Sequence, residues 1–193
     1  MKKMSVHSLV LLALLVAWSV IFRMIEIPLL PAAPFLKMDF SDFVVLIGML
    51  IHGPMGILIV AVLRDVIWYF MTGGDMGIPI GEFMSIAGSL AMFLPTYFVY
   101  KNYYHKNHTF KNILSGILLV LSLTITLSLI NYFVALPIYA TIMNFPIDNY
   151  FNYVISIIAP FNLIKGIIYA IGQGVCISVL LPILRKKHIL VFE

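Results

Sequence analysis

The chain has 193 residues, 62% of them hydrophobic and only 10% charged, with mean hydropathy +1.06 and a formal net charge of +4. A soluble domain carries about 25% charged residues, so this chain has too little polar surface to coat a water-soluble globule. Its apolar runs are too long and unbroken for the roughly ten-residue alternation of a membrane β-barrel. What remains is an all-α integral membrane protein, expected as a single domain over residues 1–193. The excess positive charge sits at predicted helix ends and is no sign of nucleic acid.

The first predicted helix runs from Ser5 to Ile27, behind Lys2 and Lys3. Its apolar stretch Val6–Phe22 is long for a signal-peptide core and no small-residue cleavage site follows, so it is expected to remain as a span. Next comes Pro31-Ala32-Ala33-Pro34-Phe35-Leu36-Lys37-Met38-Asp39-Phe40-Ser41-Asp42. Two prolines hold this backbone extended and deny it a helix. Phe35, Leu36, Met38 and Phe40 are nevertheless large apolar side chains in a segment that should face water. A plain connection has no need of them, whereas a lid over a binding site does.

A second helix starts near Ser41, with Ser41 or Asp42 as its cap, and stops at His52-Gly53-Pro54. At about a dozen residues it falls short of the ~20 that a straight span needs, and short spans in transporters often border binding sites. The third helix is predicted from Pro54 to Met71, with Pro54 suited to a first turn. A turn at Thr72-Gly73-Gly74-Asp75 leads to a fourth helix from Pro79 to Tyr100. A basic loop, Lys101 to Lys111, separates it from a fifth helix from Asn112 to Leu136, stopped by Pro137. After a second loop, Met143 to Asn149, the sixth helix begins at Tyr150, bends near Pro160 and ends before Arg185-Lys186-Lys187.

Six transmembrane helices place both termini on one side. Lys2, Lys3, Lys101, Lys106, Lys111, Arg185, Lys186 and Lys187 then share one face, which the positive-inside rule makes the cytoplasm. Glu26, Asp39, Asp42, Asp75 and Asp148 fall near the opposite face, and the Pro-rich loop is extracellular.

No GxxxxGK[ST] phosphate loop and no HExxH occurs, and Cys176 has no partner for an internal disulfide. Nothing points to an enzyme or a metal site. The residues that stand out are polar ones inside apolar helices. An ammonium in a span, Lys165, is a functional candidate by default. Asn162, three residues earlier, shares its helical face, and Asn131 interrupts the outer third of the fifth helix. Together they offer two amides and an ammonium to one polar ligand. The alternative is that the asparagines are interhelical glue and that Lys165 snorkels outward. Arg64 and Asp65 point about 100° apart on a helix and are expected to find partners on other helices rather than each other. Asp75 and Glu82 are expected to be solvated or capping. Ala13 and Ala17, four apart on the first helix, let another helix approach closely.

The run Phe35 to Asp42, followed by Gly53-Pro54-Met55-Gly56, resembles the substrate-binding (S) components of energy-coupling-factor vitamin transporters, and most closely the riboflavin-specific S components of Gram-positive bacteria. Size, six helices, the first loop, Ala13-xxx-Ala17 and the Asn162/Lys165 helix all belong to the likeness. The resemblance implies a subunit of a bacterial cell membrane that takes up riboflavin from outside and has no cofactor of its own. Phe35, Leu36, Met38 and Phe40 would close the lid, with Lys37 and Asp39 beside them. Asn131, Asn162 and Lys165 would hold polar atoms of the flavin. Ala13 and Ala17 would dock on a transmembrane coupling subunit, and two ATPase subunits would supply the energy. The alternatives are an S component for another vitamin and, further off, a carrier driven by an ion gradient.

Overall fold

The computed structural model describes residues 6–31, 36–103, 105, 107–142, 147–187 and 189–192. Helix α1 (Val6–Arg23) leads into a short antiparallel pair, β1 (Ile27–Pro28) and β2 (Lys37–Met38), in which Ile27 lies opposite Met38. Helices α2 (Ser41–His52), α3 (Pro54–Thr72) and α4 (Ile80–Asn102) follow. Helix α5 (His108–Ile130) widens into a π turn at Asn131–Ala135 and continues as α6 (Leu136–Ile142). Helix α7 (Tyr150–Tyr153) likewise passes through a π turn, Val154–Ile158, into α8 (Ala159–Lys186). Five helical segments among the described residues are long and apolar enough to cross a membrane, the longest being His108–Ile142 and Tyr150–Lys186. The sixth, α2, has only 12 residues.

A boundary differs from the expectation: Pro137 does not stop the fifth helix, just as Pro160 lies inside the last one. A proline removes one backbone donor and presses its ring on the carbonyl four residues back. Each proline here follows a π turn by two residues, and the wider turn takes up that mismatch. The Leu136 N–H bonds to the Asn131 carbonyl, and the Ala159 N–H to the Val154 carbonyl. The last helix also runs on through Arg185 and Lys186, whose charges suit the carbonyl end of a helix. The first helix stops earlier than predicted, at Arg23, and Ile27–Pro28 pairs with Lys37–Met38 of the proline-bearing loop as β1–β2.

Periodicity decides which faces turn inward. On α5 the buried residues Ser115, Leu119, Leu123 and Leu127 recur every four positions and lead directly to Asn131. The opposite stripe, Ile113, Ile117, Leu121, Ile125 and Leu129, is exposed and wholly apolar. On α8 the inward stripe runs through Asn162, Gly166, Tyr169, Gln173 and Ile177. Interhelical glue is present at Gln173, which accepts from Thr96 (2.9 Å) and donates to Ser115 (3.1 Å).

Helix α2 is too short to span and sits inside the bundle instead, with Val45, Leu46, Met49 and Leu50 fully buried. Its final turn leaves carbonyls without helical partners, and the Leu50 carbonyl receives the Val191 N–H from the chain's last residues at 3.0 Å. At the α2–α3 corner, Gly53 has φ +61°, a conformation suited to glycine. Just beyond it, α3 crosses α2 so closely that a Cβ on Gly56 would stand 1.9 Å from the Gly48 carbonyl oxygen. Gly56→Ala is therefore expected to force the two helices apart and cost about 1–3 kcal/mol. A lowered thermal unfolding midpoint in detergent checks this; an unchanged midpoint contradicts it.

Candidate functional site

A cavity of about 600 Å³ opens at the end of the bundle that carries the β1–β2 loop. Five groups of side chains converge on it. Leu36, Lys37 and Asp39 come from the loop, and Arg23 and Glu26 from the end of α1 and the link beyond it. Trp68, Glu82 and Ser85 come from α3 and α4. Asn131, Leu136 and Tyr139 come from the widened stretch of the fifth span, and Phe161, Asn162 and Lys165 from α8. Both π turns stand at this level, a common placement for functional sites. Asn131 and Ala135, four apart in the first of them, are both buried.

The structure brings Asn131, Asn162 and Lys165 together on one cavity. Asn131 spends its Nδ2 on the Leu127 carbonyl (2.8 Å). The Asn162 side chain is buried and makes no hydrogen bond to another described residue. Lys165 does not snorkel away: its Nζ lies 5.7 Å from the centre of the Tyr169 ring and lines the cavity.

The loop residues divide. Leu36 packs against Leu136, Val154 and Ile158 and lines the cavity. Lys37 pairs with Glu26 at 2.5 Å. The Asp39 carboxylate accepts from the Ser41 N–H (2.8 Å) and hydroxyl, fixing the start of α2, and its carbonyl accepts from the Tyr169 hydroxyl. Met38 and Phe40 do not line the cavity. Met38, on β2, is buried in the main core, and Phe40 packs on that core with its ring 6.4 Å from Phe43. Alternation along a strand sends neighbours to opposite sides, so Met38 anchors the loop from beneath. Phe35 lies outside the described residues.

Beneath the cavity lies an ion network that the spacing argument missed. Arg64 does pair with its neighbour: its Nε and Nη2 reach the two Asp65 oxygens at 2.9 and 3.0 Å. Adjacent side chains diverge at Cβ, but the long guanidinium folds back to present its fork, the geometry that suits a carboxylate. The expected cross-helix partners are present too. Arg64 also reaches Asp42 (2.8 Å) and Ser41 (2.7 Å) on α2 and Ser85 (2.7 Å) on α4, while Asp65 accepts from Arg23 of α1. Ser89 donates to Asp42 at 2.6 Å. Two arginines and two aspartates from α1, α2 and α3 thus cancel in charge, which is how ions survive in a buried setting.

Arg23, Trp68 and Glu82 had no part in the sequence-based site. Arg23 lines the cavity, donates to Ser85 (2.8 Å) and lies 5.4 Å from the centre of the Trp68 ring. Glu82, expected to be solvated or capping, is 6% exposed and faces the cavity. Asp75 accepts from the Tyr139 hydroxyl at 2.8 Å. The only advance signal was charge near a helix end, which solvated residues share.

On the opposite flank, Ala13 and Ala17 are exposed on α1, between the equally exposed Leu14, Trp18 and Ile21.

The family model for the substrate-specific component of ECF transporters matches residues 7–172. The riboflavin transporter RibU of Streptococcus thermophilus is 33% identical over 185 residues, covering 93% of this chain and 85% of its own. RibU of Staphylococcus aureus is 35% identical over 159 residues, covering 81% and 79%. The riboflavin transporter FmnP of Bacillus subtilis is 30% identical over 189 residues, covering 96% and 97%. A solved S component of a bacterial ECF transporter superposes with TM-score 0.74 at 31% identity, over 91% of this chain and 96% of that one.

Proposed function

This chain belongs to the substrate-specific components of ECF transporters, and we propose on that premise that it is the riboflavin-binding subunit of a vitamin uptake system in a Gram-positive cell membrane. The observation that carries the proposal is the convergence of Asn131, Asn162 and Lys165 with loop residues on one cavity of about 600 Å³. That volume lies within the roughly 300–1,000 Å³ of small-molecule sites. Riboflavin has a flat apolar ring system with a polar edge that alternates donors and acceptors. An asparagine amide offers one acceptor and two donors, and a lysine donates to carbonyl oxygens. Trp68, Leu127, Leu136 and Phe161 supply apolar wall for the rings; burying a few hundred Å² at ~25 cal/mol per Å² contributes several kcal/mol before binding costs.

The β1–β2 loop serves as the extracellular lid, with Leu36 and Lys37 over the opening and Met38 and Phe40 fastening it to the core. Both termini then face the cytoplasm. The exposed Ala13/Ala17 strip docks on a transmembrane coupling subunit, and two ATPases supply the work that this chain, which has no phosphate loop, does not. Of the buried acids that an ion-driven carrier could use, Asp42 and Asp65 are both held by arginines, while Glu82 is not.

Lys165→Ala and Asn162→Ala are each expected to weaken riboflavin binding by about tenfold to a hundredfold, the worth of one or two hydrogen bonds in a water-poor site. Asn131→Ala should cost about tenfold, since part of its amide serves the Leu127 carbonyl. Quenching of flavin fluorescence by the purified variants measures this. An unchanged dissociation constant removes that residue from the site.

A further inference from the structure

We propose that Glu82 is the specificity-determining residue of this cavity: it accepts hydrogen bonds from the hydroxyl chain of the flavin and turns away a flavin whose chain ends in a phosphate. The assignment rests on the flavin-binding role proposed above and adds the chemistry of the cavity's other wall.

Glu82 lines the cavity at 6% exposure, and its Oε2 has no hydrogen-bond partner among the described residues. A buried acceptor left unmade is costly, and polar groups in native interiors are rarely left so. A partner arriving with the ligand resolves the cost. Its position in the first turn of α4 puts the helix dipole behind the charged form of the carboxylate.

The surrounding charges give the wall its sign. Arg23 gives its Nη1 to Asp65 and Ser85 while its buried Nε has no hydrogen-bond partner among the described residues, and Lys37 pairs with Glu26. Asp75 accepts only a neutral phenol, from Tyr139, and it belongs to the same wall: a Cβ on Gly81 would lie 3.2 Å from its Oδ2. Glu82 and Asp75 are therefore two carboxylates that make no ion pair among the described residues. If Asn131, Asn162 and Lys165, on the fifth and last spans, take the polar edge of the rings, the chain attached to the rings faces α3 and α4. A ribityl chain brings hydroxyl donors to that wall, which suit a carboxylate. Its phosphate ester brings acceptors and about −1.5 to −2 of charge, and like charges juxtaposed in a desolvated site repel.

The test titrates the purified full chain and Glu82→Gln with three probes: riboflavin, riboflavin 5′-phosphate, and lumiflavin, which has a methyl group in place of the ribityl chain. The wild-type chain is expected to prefer riboflavin over its phosphate by about a hundredfold, and Glu82→Gln to narrow that ratio to about tenfold or less. The variant should lose a few-fold in riboflavin affinity, roughly one weakened hydrogen bond, while its lumiflavin affinity stays with the wild type and reports an intact fold. A ratio that does not change in Glu82→Gln overturns the assignment alone, as does a wild-type chain that binds both forms equally. A wild-type chain that binds no flavin overturns the proposed function, and this assignment with it.

Discussion

Arg64→Ala is expected to be the most damaging single substitution for the fold, at about 3–5 kcal/mol. The Arg64 side chain is fully buried and donates to Ser41, Asp42, Asp65, Ser85 and Ser89, tying α2, α3 and α4 together. Removing it leaves Asp42 with only a serine donor and Asp65 with Arg23 alone. The cost is that of stranded carboxylates as much as of lost bonds, since Asp42 and Asp65 are both buried. Arg64→Lys should recover part of the loss but not all, because an ammonium is a point donor and cannot fork onto Asp65 while reaching Asp42. The thermal unfolding midpoint in detergent, measured without flavin, reads the effect directly. A midpoint for Arg64→Ala within a degree of the wild type would show that the network holds nothing together.

Ala13→Trp is expected to abolish riboflavin uptake by cells that contain the complete transporter while leaving flavin binding by the isolated chain unchanged. Ala13 is exposed, so the added indole meets lipid in the free subunit and disturbs no packed neighbour. The inward face of the same helix, Leu12, Leu15, Val16 and Ser19, is untouched. A small-residue strip matters only where another helix comes close, and a tryptophan there holds that helix away. Ala17→Trp, one turn further along, should behave in the same way. Uptake that survives either substitution removes this face from the docking surface; flavin binding that falls with it shows a fold effect instead.

Much of the architecture was legible because membrane helices announce themselves by length and hydropathy. The shortness of α2 follows from His52-Gly53-Pro54, and its burial follows from its shortness. Asn131, Asn162 and Lys165 were legible because each interrupts an apolar run, where a polar group is expensive enough to need a reason. What escaped lies between helices. The Arg23–Asp65 and Arg64–Asp42 contacts join residues 42 and 22 positions apart, and no local spacing encodes them. Pro137 read as a stop because the π turn that absorbs it has no sequence signature of its own. Met38 and Leu36 look equivalent as apolar loop residues until the fold buries Met38 in the main core and sets Leu36 against Leu136, Val154 and Ile158 at the cavity. Glu82 was indistinguishable from a solvated first-turn acid until α3, α4 and α1 closed around it.

Equilibrium titration of the purified chain with riboflavin, with no other subunit present, tests the central claim most directly. A capture subunit with a preformed cavity should quench flavin fluorescence saturably, with a dissociation constant below about 1 μM, and should bring the yellow chromophore with it through purification. A chain that stays colourless, leaves riboflavin fluorescence unchanged to saturating concentration and still unfolds cooperatively would contradict it.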